Sequence, residues 1–328
     1  DDTVRHWSCY TGVKAGAVSK IQEFVRKESP ALDEKFVNDE DFIRRLNAAQ
    51  SSWTARVYPE HEKYTNREML QRAGGHPRVL PPPAPATEEQ KAKAAVLPTN
   101  FDWRNIEGID YISPVRDQGQ CGSCYSFAST GLLEARVRIE TNLARTDVFS
   151  NQDAMSCTTL DEGCVGGFSY LIAGRYGKDI GFVSEDCNAY TAMDEVCDTD
   201  MTCDRTYVSK YEYVGGYYGA CNEEGMMETL VTRGPLTVAY FVFDDFMLYW
   251  SGIYHHVESE KTDFEPFYAC NHAVLVVGYG VEASTGEKFW IVKNSWGDAW
   301  GEDGYFRIRR GTNECGIESA AFDATVIS

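Results

Sequence analysis

Four residues of this 328-residue chain have the types and the order that nucleophilic catalysis requires. Cys124 ends the run Gln118–Cys124 (QGQCGSC) at the start of a predicted helix, where unpaired N–H groups and the helix dipole favour a thiolate. A thiolate attacks carbonyl carbon, and histidine is the side chain that most often transfers the proton. The sequence therefore predicts acyl transfer with Cys124 as the nucleophile.

The histidine is His272, which follows Cys124 by 148 residues and precedes an apolar strand. A lone histidine there is more often structural, but Asn294 and Trp296 follow one predicted hairpin later. A strand pair would bring the Asn294 amide beside the imidazole and the Trp296 indole over it, and an amide orients the ring without adding charge. The Gln118 side chain and the backbone N–H of Cys124 would form an oxyanion hole.

Eleven cysteines, at positions 9, 121, 124, 157, 164, 187, 197, 203, 221, 270 and 315, indicate folding in an oxidising compartment. The odd number leaves at least one thiol outside a disulfide. Cys121 and Cys124 could instead form a redox dithiol or half a zinc site, since both use this spacing. A zinc site requires a second close pair, and Cys197 and Cys203 are six residues apart without a histidine. Both alternatives are disfavoured.

The charge of the chain excludes several classes of function. Its net charge is −19 and its pI about 4.7, so it repels nucleic acid and anionic membranes. The longest apolar stretches are far shorter than the roughly 20 residues of a spanning helix. We therefore expect neither a nucleic acid nor a membrane partner, and the residue types indicate no metal site.

Composition changes once along the chain, at the proline run Pro81–Pro85, which favours extended backbone. We place a domain boundary near residue 96. Before it, apolar residues at steps of three to four predict an amphipathic helix capped by Asp39, with Phe42, Ile43 and Leu46 on one face. Such a face requires a partner to cover it.

After the boundary, positions 123–139 predict a long helix with a stripe of small and apolar residues. Glu134, Arg136 and Arg138 are expected to face solvent. The runs of β-branched and aromatic residues at 237–242, 273–279, 289–293 and 304–308 predict strands. The second half is therefore expected to be a strand-rich barrel or sheet.

Residues 97–328 resemble the papain-like cysteine peptidases, because four motifs occur in the family's order. They are Leu97–Arg104 (LPTNFDWR), the run that ends at Cys124, Cys164–Gly167 (CVGG), and the His272 and Asn294 motifs. The resemblance implies an α+β fold with a helical left half (about 97–215) and a β-barrel right half (about 216–328). The cleft would lie between them, with residues 14–96 as an inhibitory prosegment.

The resemblance also implies ligand and disulfide residues. Gly166, Gly167, Asn271, Trp296 and Ala320 would contact substrate, and the small Ala320 would leave a roomy pocket. A chloride ion would bind at Tyr170 and Tyr213, although two packed aromatic rings are an equally good interpretation. The implied disulfides are Cys121 with Cys164, Cys157 with Cys197, and Cys187 with Cys203. Cys221, Cys270 and Cys315 would then remain reduced.

Further matches, such as Tyr125 after the nucleophile, resemble the family branch that removes dipeptides from amino termini. Residues 1–13 resemble the end of that branch's exclusion domain, and we expect the rest of that domain, with the partner of Cys9, to be absent. An endopeptidase without dipeptidyl restriction and a catalytically silent binding protein of the same fold remain open alternatives. The resemblance implies peptide and protein substrates, cystatin-type inhibitors and a homotetramer if the exclusion domain is supplied. It also implies the secretory route to a lysosome or comparable acidic vacuole.

Overall fold

The computed structural model describes residues 30–74, 80–258 and 270–327. The helices in these ranges are α1 Pro30–Asp33, α2 Glu40–Ala49, α3 Asn66–Arg72, α4 Glu88–Ala94, α5 Cys124–Glu140, α6 Asn151–Ser156, α7 Gly177–Asp179 and α8 Glu223–Arg233. The strands are β1 Trp53–Ala55, β2 Phe101–Asp102, β3 Val208–Tyr213, β4 Leu236–Val242, β5 Tyr249–Tyr254, β6 Cys270–Val281, β7 Lys288–Lys293, β8 Tyr305–Arg309 and β9 Ala321–Val326. A π-helix covers Tyr170–Tyr176, and among the described residues no helix is long and apolar enough to cross a membrane.

The helix predicted before the proline run is α2. Its cap is Asp39, whose carboxylate accepts the Phe42 N–H at 2.9 Å, and its apolar face is buried. The Asn47 side chain on α2 donates to the Ala55 carbonyl at 2.9 Å and accepts the Ala55 N–H at 2.8 Å. The helix therefore covers the outer edge of β1, which would otherwise expose unpaired backbone groups. Residues 1–13, including Cys9, lie outside the described residues, as does the Cys270 side chain.

The strands form one mixed sheet in the order β1-β5-β8-β7-β6-β4-β9-β3, with β2 paired to β6. The prediction of a β-barrel is therefore wrong, because the described strands do not close on themselves. The physical reason lies at the two edges. Asn47 covers β1, while β3 packs against the π-helix of the left half, where the Tyr211 and Tyr170 ring centroids are 5.2 Å apart. Each edge strand is thus covered by a neighbouring helix, and the two edges do not pair with each other.

The long helix α5 is confirmed, but its predicted solvent-facing side is not. Glu134, Arg136 and Arg138 are all buried. Glu134 accepts the Phe149 N–H at 2.9 Å, and Arg136 forms an ion pair with Asp323 of β9. The helix packs between the sheet and the π-helix, so its charged side chains find partners from other elements instead of water.

Candidate active site

The structure places Cys124 at the first residue of α5. The hydroxyl of the preceding Ser123 is 2.6 Å from the Tyr190 hydroxyl and makes no side-chain cap to the helix. The N–H groups of the first turn form the positive end of the helix dipole, and the Ser123 side chain leaves them to a thiolate or an oxyanion. The Ala273 N–H donates to the sulfur of Cys124 at 3.5 Å, so α5 and β6 meet at the sulfur.

His272 lies on β6, and its Nε2 is 2.7 Å from Oδ1 of Asn294. That oxygen also accepts the N–H of Ser295 at 2.8 Å, which fixes its identity as the acceptor. Nε2 must therefore carry the proton, and Nδ1 presents the lone pair of the neutral imidazole. Nδ1 is buried with no hydrogen-bond partner among the described residues. The Trp296 ring stacks on the imidazole with centroids 4.9 Å apart.

Gln118 is held so that its amide nitrogen points into the cleft. Its Oε1 accepts the Ser295 hydroxyl at 2.6 Å, and its Nε2 donates to the Cys121 carbonyl at 2.8 Å and to the Arg72 carbonyl at 3.3 Å. The Trp296 indole N–H donates to the same Arg72 carbonyl at 3.1 Å. A peptide carbonyl of the leading segment thus binds the Gln118 amide, one of the two donors of the predicted oxyanion hole.

The remaining predicted ligand residues line one pocket beside Cys124. Its lining includes Gly166, Gly167, Asn271, Ala320, Tyr170 and Tyr213. Gly167 must be glycine, since a Cβ there would lie 2.6 Å from the Tyr125 ring. The Tyr170 and Tyr213 rings stack with centroids 4.5 Å apart, and burial raises the pKa of Tyr213 to about 12. Trp296 is the one predicted substrate residue that lies on the opposite side of the cleft, beside His272.

Three disulfides occur among the described residues, with the pairings that the resemblance implies: Cys121–Cys164, Cys157–Cys197 and Cys187–Cys203. The first of them joins the nucleophile's loop to the loop of Gly166. Because its sulfur is bonded to Cys164, Cys121 cannot serve in a redox or zinc pair with Cys124. Cys221 and Cys315 lie outside these disulfides and are buried, and burial raises the pKa of Cys221 to about 12.

The residues by which the prosegment fills the cleft were not predicted from the sequence. Arg72, at the end of α3, is 2% exposed and pairs with Asp117 at 2.8 Å. Gly74 follows with a φ of 97°, and a Cβ there would lie 1.6 Å from the Asn271 carbonyl oxygen, so only glycine permits this approach. Leu80 then lines the pocket of Gly166. The pair Gly74-Gly75 is a usable signal for close backbone approach, whereas nothing local distinguishes Arg72 from other helix-end arginines.

Arg72 of the prosegment contributes to the electrostatics of the site. The pKa of His272 is lowered to about 4, chiefly by burial, and the Arg72 guanidinium lowers it further while the Asn294 hydrogen bond opposes the shift. The covered imidazole is therefore neutral at mildly acidic pH. Burial and the Arg72 guanidinium both disfavour the imidazolium form of His272 while the prosegment is in place.

A second buried histidine lies within the prosegment itself. His61 is 2% exposed, stacks on Tyr58 with centroids 4.9 Å apart, and has a buried Nδ1 without a hydrogen-bond partner among the described residues. Its pKa is lowered to about 3, first by burial and then by the Arg72 guanidinium, with a smaller opposing effect of Asp117. A released His61 would titrate near its ordinary value of about 6.5. Protonation therefore favours release, and docking weakens by up to about tenfold per pH unit below about 6.5.

We expect His61→Phe to keep the ring packing and to lower the pH of half-release by about one unit. The measurement is tryptophan fluorescence against pH in a Cys124→Ser background, because the Trp296 indole contacts the prosegment directly. Equal spectra at pH 7.5 would show that both proteins start docked. An unchanged midpoint would mean that other groups, such as His272, govern release.

Comparisons with known proteins agree with this geometry. The model of the "Papain family cysteine protease" family matches residues 97–325. Cathepsin C of Schistosoma mansoni is 44% identical over 288 residues, which cover 85% of this chain and 63% of that protein. Pro-cathepsin H of Bos taurus is 37% identical over 231 residues, covering 68% of this chain and 63% of its own. The chain thus spans just under two thirds of the length of these relatives.

Solved structures of precursors are similar to this chain over most of its length. The digestive procathepsin L2 proteinase of Tenebrio molitor larval midgut superimposes with a TM-score of 0.71 and 31% identity, covering 95% of this chain and 94% of its own. The family model, the relatives and the arrangement of Cys124, His272, Asn294 and Gln118 agree. This chain belongs to the papain family of cysteine proteases.

Proposed function

We propose that Cys124 hydrolyses peptide bonds through an acyl-enzyme and that the enzyme removes dipeptides from free amino termini. The Cys124 thiolate attacks the carbonyl carbon, and the Gln118 amide and the Cys124 N–H stabilise the oxyanion. The His272 imidazolium then protonates the leaving amine as the C–N bond breaks. Water attacks the thioester, His272 accepts its proton, and the thiolate leaves. Asn294 keeps the ring oriented through Nε2.

The observation that best supports this mechanism is the position of the Arg72 carbonyl. This peptide carbonyl accepts hydrogen bonds from the Trp296 indole and from the amide of Gln118, and Gln118 lies on the loop that leads to Cys124. Substrate carbonyls would use the same donors. The prosegment passes Trp296 at Arg72 before it reaches the pocket of Gly166 at Leu80, so its chain runs opposite to that of a substrate whose acyl part lies in that pocket.

Dipeptide removal is supported by the similarity to cathepsin C over 85% of this chain. A specific observation favours an endopeptidase as the second candidate. The prosegment contacts the cleft on both sides of the nucleophile, through Arg72 beside Trp296 and through Leu80 in the pocket of Gly166. A polypeptide that extends in both directions therefore fits the described cleft unless a further element closes one end.

The pocket of Tyr170 and Tyr213 suits the chloride ion that the family resemblance implies. Phenol hydroxyls are donors, and the described residues of this pocket include no carboxylate that would repel an anion. Tyr170 and Tyr213 would hold the ion. When bound, it would supply a fixed negative charge in the pocket that receives the acyl part of the substrate.

The setting that we propose is a lysosome or comparable acidic vacuole, reached by the secretory route. Three disulfides and a prosegment with a buried neutral His61 both suit that route and that pH. The proposed partners are peptide and protein substrates and cystatin-type inhibitors. A homotetramer is expected only when an exclusion domain is supplied.

One peptide, with its amino terminus either free or acetylated, tests the dipeptidyl proposal. After activation at mildly acidic pH with a thiol, we expect mass spectrometry to detect successive dipeptides from the free form alone. We also expect the rate to fall when chloride is replaced by gluconate. Internal cuts in both forms would establish the endopeptidase instead. No cut in either form, with Cys124 still labelled by a thiolate-directed epoxide, would contradict both functions.

A further inference from the structure

We propose that the Asp117 carboxylate and the Gly119 carbonyl form a subsite that selects arginine on the leaving-group side of the scissile bond. This inference deepens the proposed peptidase function, since it concerns the part of the substrate that departs as an amine. The prosegment reveals the subsite by filling it with its own arginine, Arg72.

The Arg72 guanidinium is bound as a ligand would be. Its Nη1 donates to the Asp117 carboxylate at 2.8 Å, to the Gly119 carbonyl at 2.6 Å and to the Tyr64 hydroxyl at 3.1 Å. Tyr64 also stacks under the guanidinium, 4.6 Å from its carbon. Tyr64 belongs to the prosegment and departs with it, whereas the carboxylate and the carbonyl acceptor both belong to the catalytic body.

The position of these acceptors assigns them to the leaving-group side. The acyl part of a substrate is proposed to lie in the pocket of Gly166, where Leu80 is found. Asp117 lies on the other side of the oxyanion donors, where its backbone pairs with that of Trp296. The first or second residue after the scissile bond would therefore meet Asp117.

The subsite remains organised when the prosegment leaves. The Gly119 N–H donates to the Asp117 carboxylate at 2.9 Å and fixes its direction. The strand-like bridge to the loop of Trp296 holds the backbone, with the Gln118 N–H bonded to the Ser295 carbonyl at 2.9 Å. The Asp117 side chain is 42% exposed even with Arg72 present, so a substrate can reach it from solvent. Preorganised acceptors lose little entropy on binding.

The chemistry of the acceptors predicts an order of preference. A guanidinium is more weakly hydrated than an ammonium, so it loses less on leaving water for the Asp117 carboxylate and the Gly119 carbonyl. Glutamine can donate to the same atoms but carries no charge. We therefore expect arginine to be preferred over lysine, and lysine over glutamine, at one of these two positions. Because Asp117 is partly exposed, the preference for arginine over glutamine should be roughly threefold to tenfold.

The test is a competition between peptides that share their first two residues and differ at the third or fourth, arginine against glutamine. The full chain is activated, both peptides are mixed, and mass spectrometry gives the ratio of their kcat/KM values. A ratio does not depend on how much enzyme folds. Asp117→Asn keeps the size of the side chain and an acceptor for the Gly119 N–H, and it should bring the ratio close to one. The matched control is Asp298→Asn, an exposed carboxylate in the loop after Trp296, which should keep the wild-type ratio.

The same comparison separates this inference from the dipeptidyl proposal. If the enzyme makes internal cuts in acetylated peptides, the dipeptidyl proposal fails, yet the arginine preference is still measured at the internal sites. Binding of the two peptides to a processed Cys124→Ala protein gives the ratio of their dissociation constants, which measures the preference without turnover. A ratio near one in the wild type, or an unchanged ratio in Asp117→Asn, would overturn the subsite and leave the Arg72–Asp117 pair as a contact of the precursor alone.

Discussion

Replacement of Cys124 by alanine is expected to lower kcat for peptide hydrolysis by about a millionfold, the scale seen when a protease loses its nucleophile. Without the sulfur no acyl-enzyme forms, and the oxyanion donors act only on direct attack by water. Steady-state hydrolysis would measure the loss, and burst kinetics with an active-site titrant would count the functional nucleophiles. The variant should also fail to be labelled by a thiolate-directed epoxide.

Cys221 is the matched control for this experiment. It is also a buried cysteine outside the described disulfides, but burial raises its pKa to about 12, so it remains a thiol. Cys221→Ala should therefore keep the wild-type kcat and the wild-type labelling. Substantial residual hydrolysis by Cys124→Ala would contradict the proposed mechanism. Equal loss in both variants would indicate a folding defect instead of a missing nucleophile.

Removal of the Gln118 amide should have the second largest effect, a decrease in kcat of about a hundredfold to a thousandfold. We expect Gln118→Ala and the isosteric Gln118→Glu both to show it, because both lack the N–H donor that faces the cleft. The carboxylate of the second variant would in addition place an acceptor, with negative charge, against the developing oxyanion. KM should change little, since the interaction strengthens mainly as charge develops on the carbonyl oxygen.

Gln120→Ala is the control from the same motif. The Gln120 amide donates to the Ala192 carbonyl at 3.2 Å and thus away from the Arg72 carbonyl. Its removal should leave kcat within about twofold of the wild type, as for most surface substitutions. If Gln118→Ala raised KM and left kcat unchanged, Gln118 would bind substrate without stabilising the oxyanion. Thermal unfolding of each variant would show whether loss of the Ser295 contact contributes.

The local parts of the fold were predictable from the sequence because they depend on near neighbours in the chain. The Asp39 cap and the spacing of Phe42, Ile43 and Leu46 predicted α2, and glycine-bounded β-branched runs predicted strands of the sheet. The types and order of Cys124 and His272 predicted acyl transfer, and the resemblance of four motifs to the papain-like family implied a peptidase. The roles of the site residues stay predictions until the variants are measured.

Only the tertiary structure decided features that depend on contacts between distant segments. Glu134 and Arg136 were expected in water, yet they are buried because Phe149 and Asp323 supply partners that no local pattern reveals. Periodicity could not separate a barrel from a sheet, since closure depends on what covers each edge. The Arg72–Asp117 pair joins residues 45 positions apart. The sequence by itself thus determined the reactive groups and their order, whereas packing decided what surrounds them and what fills the cleft.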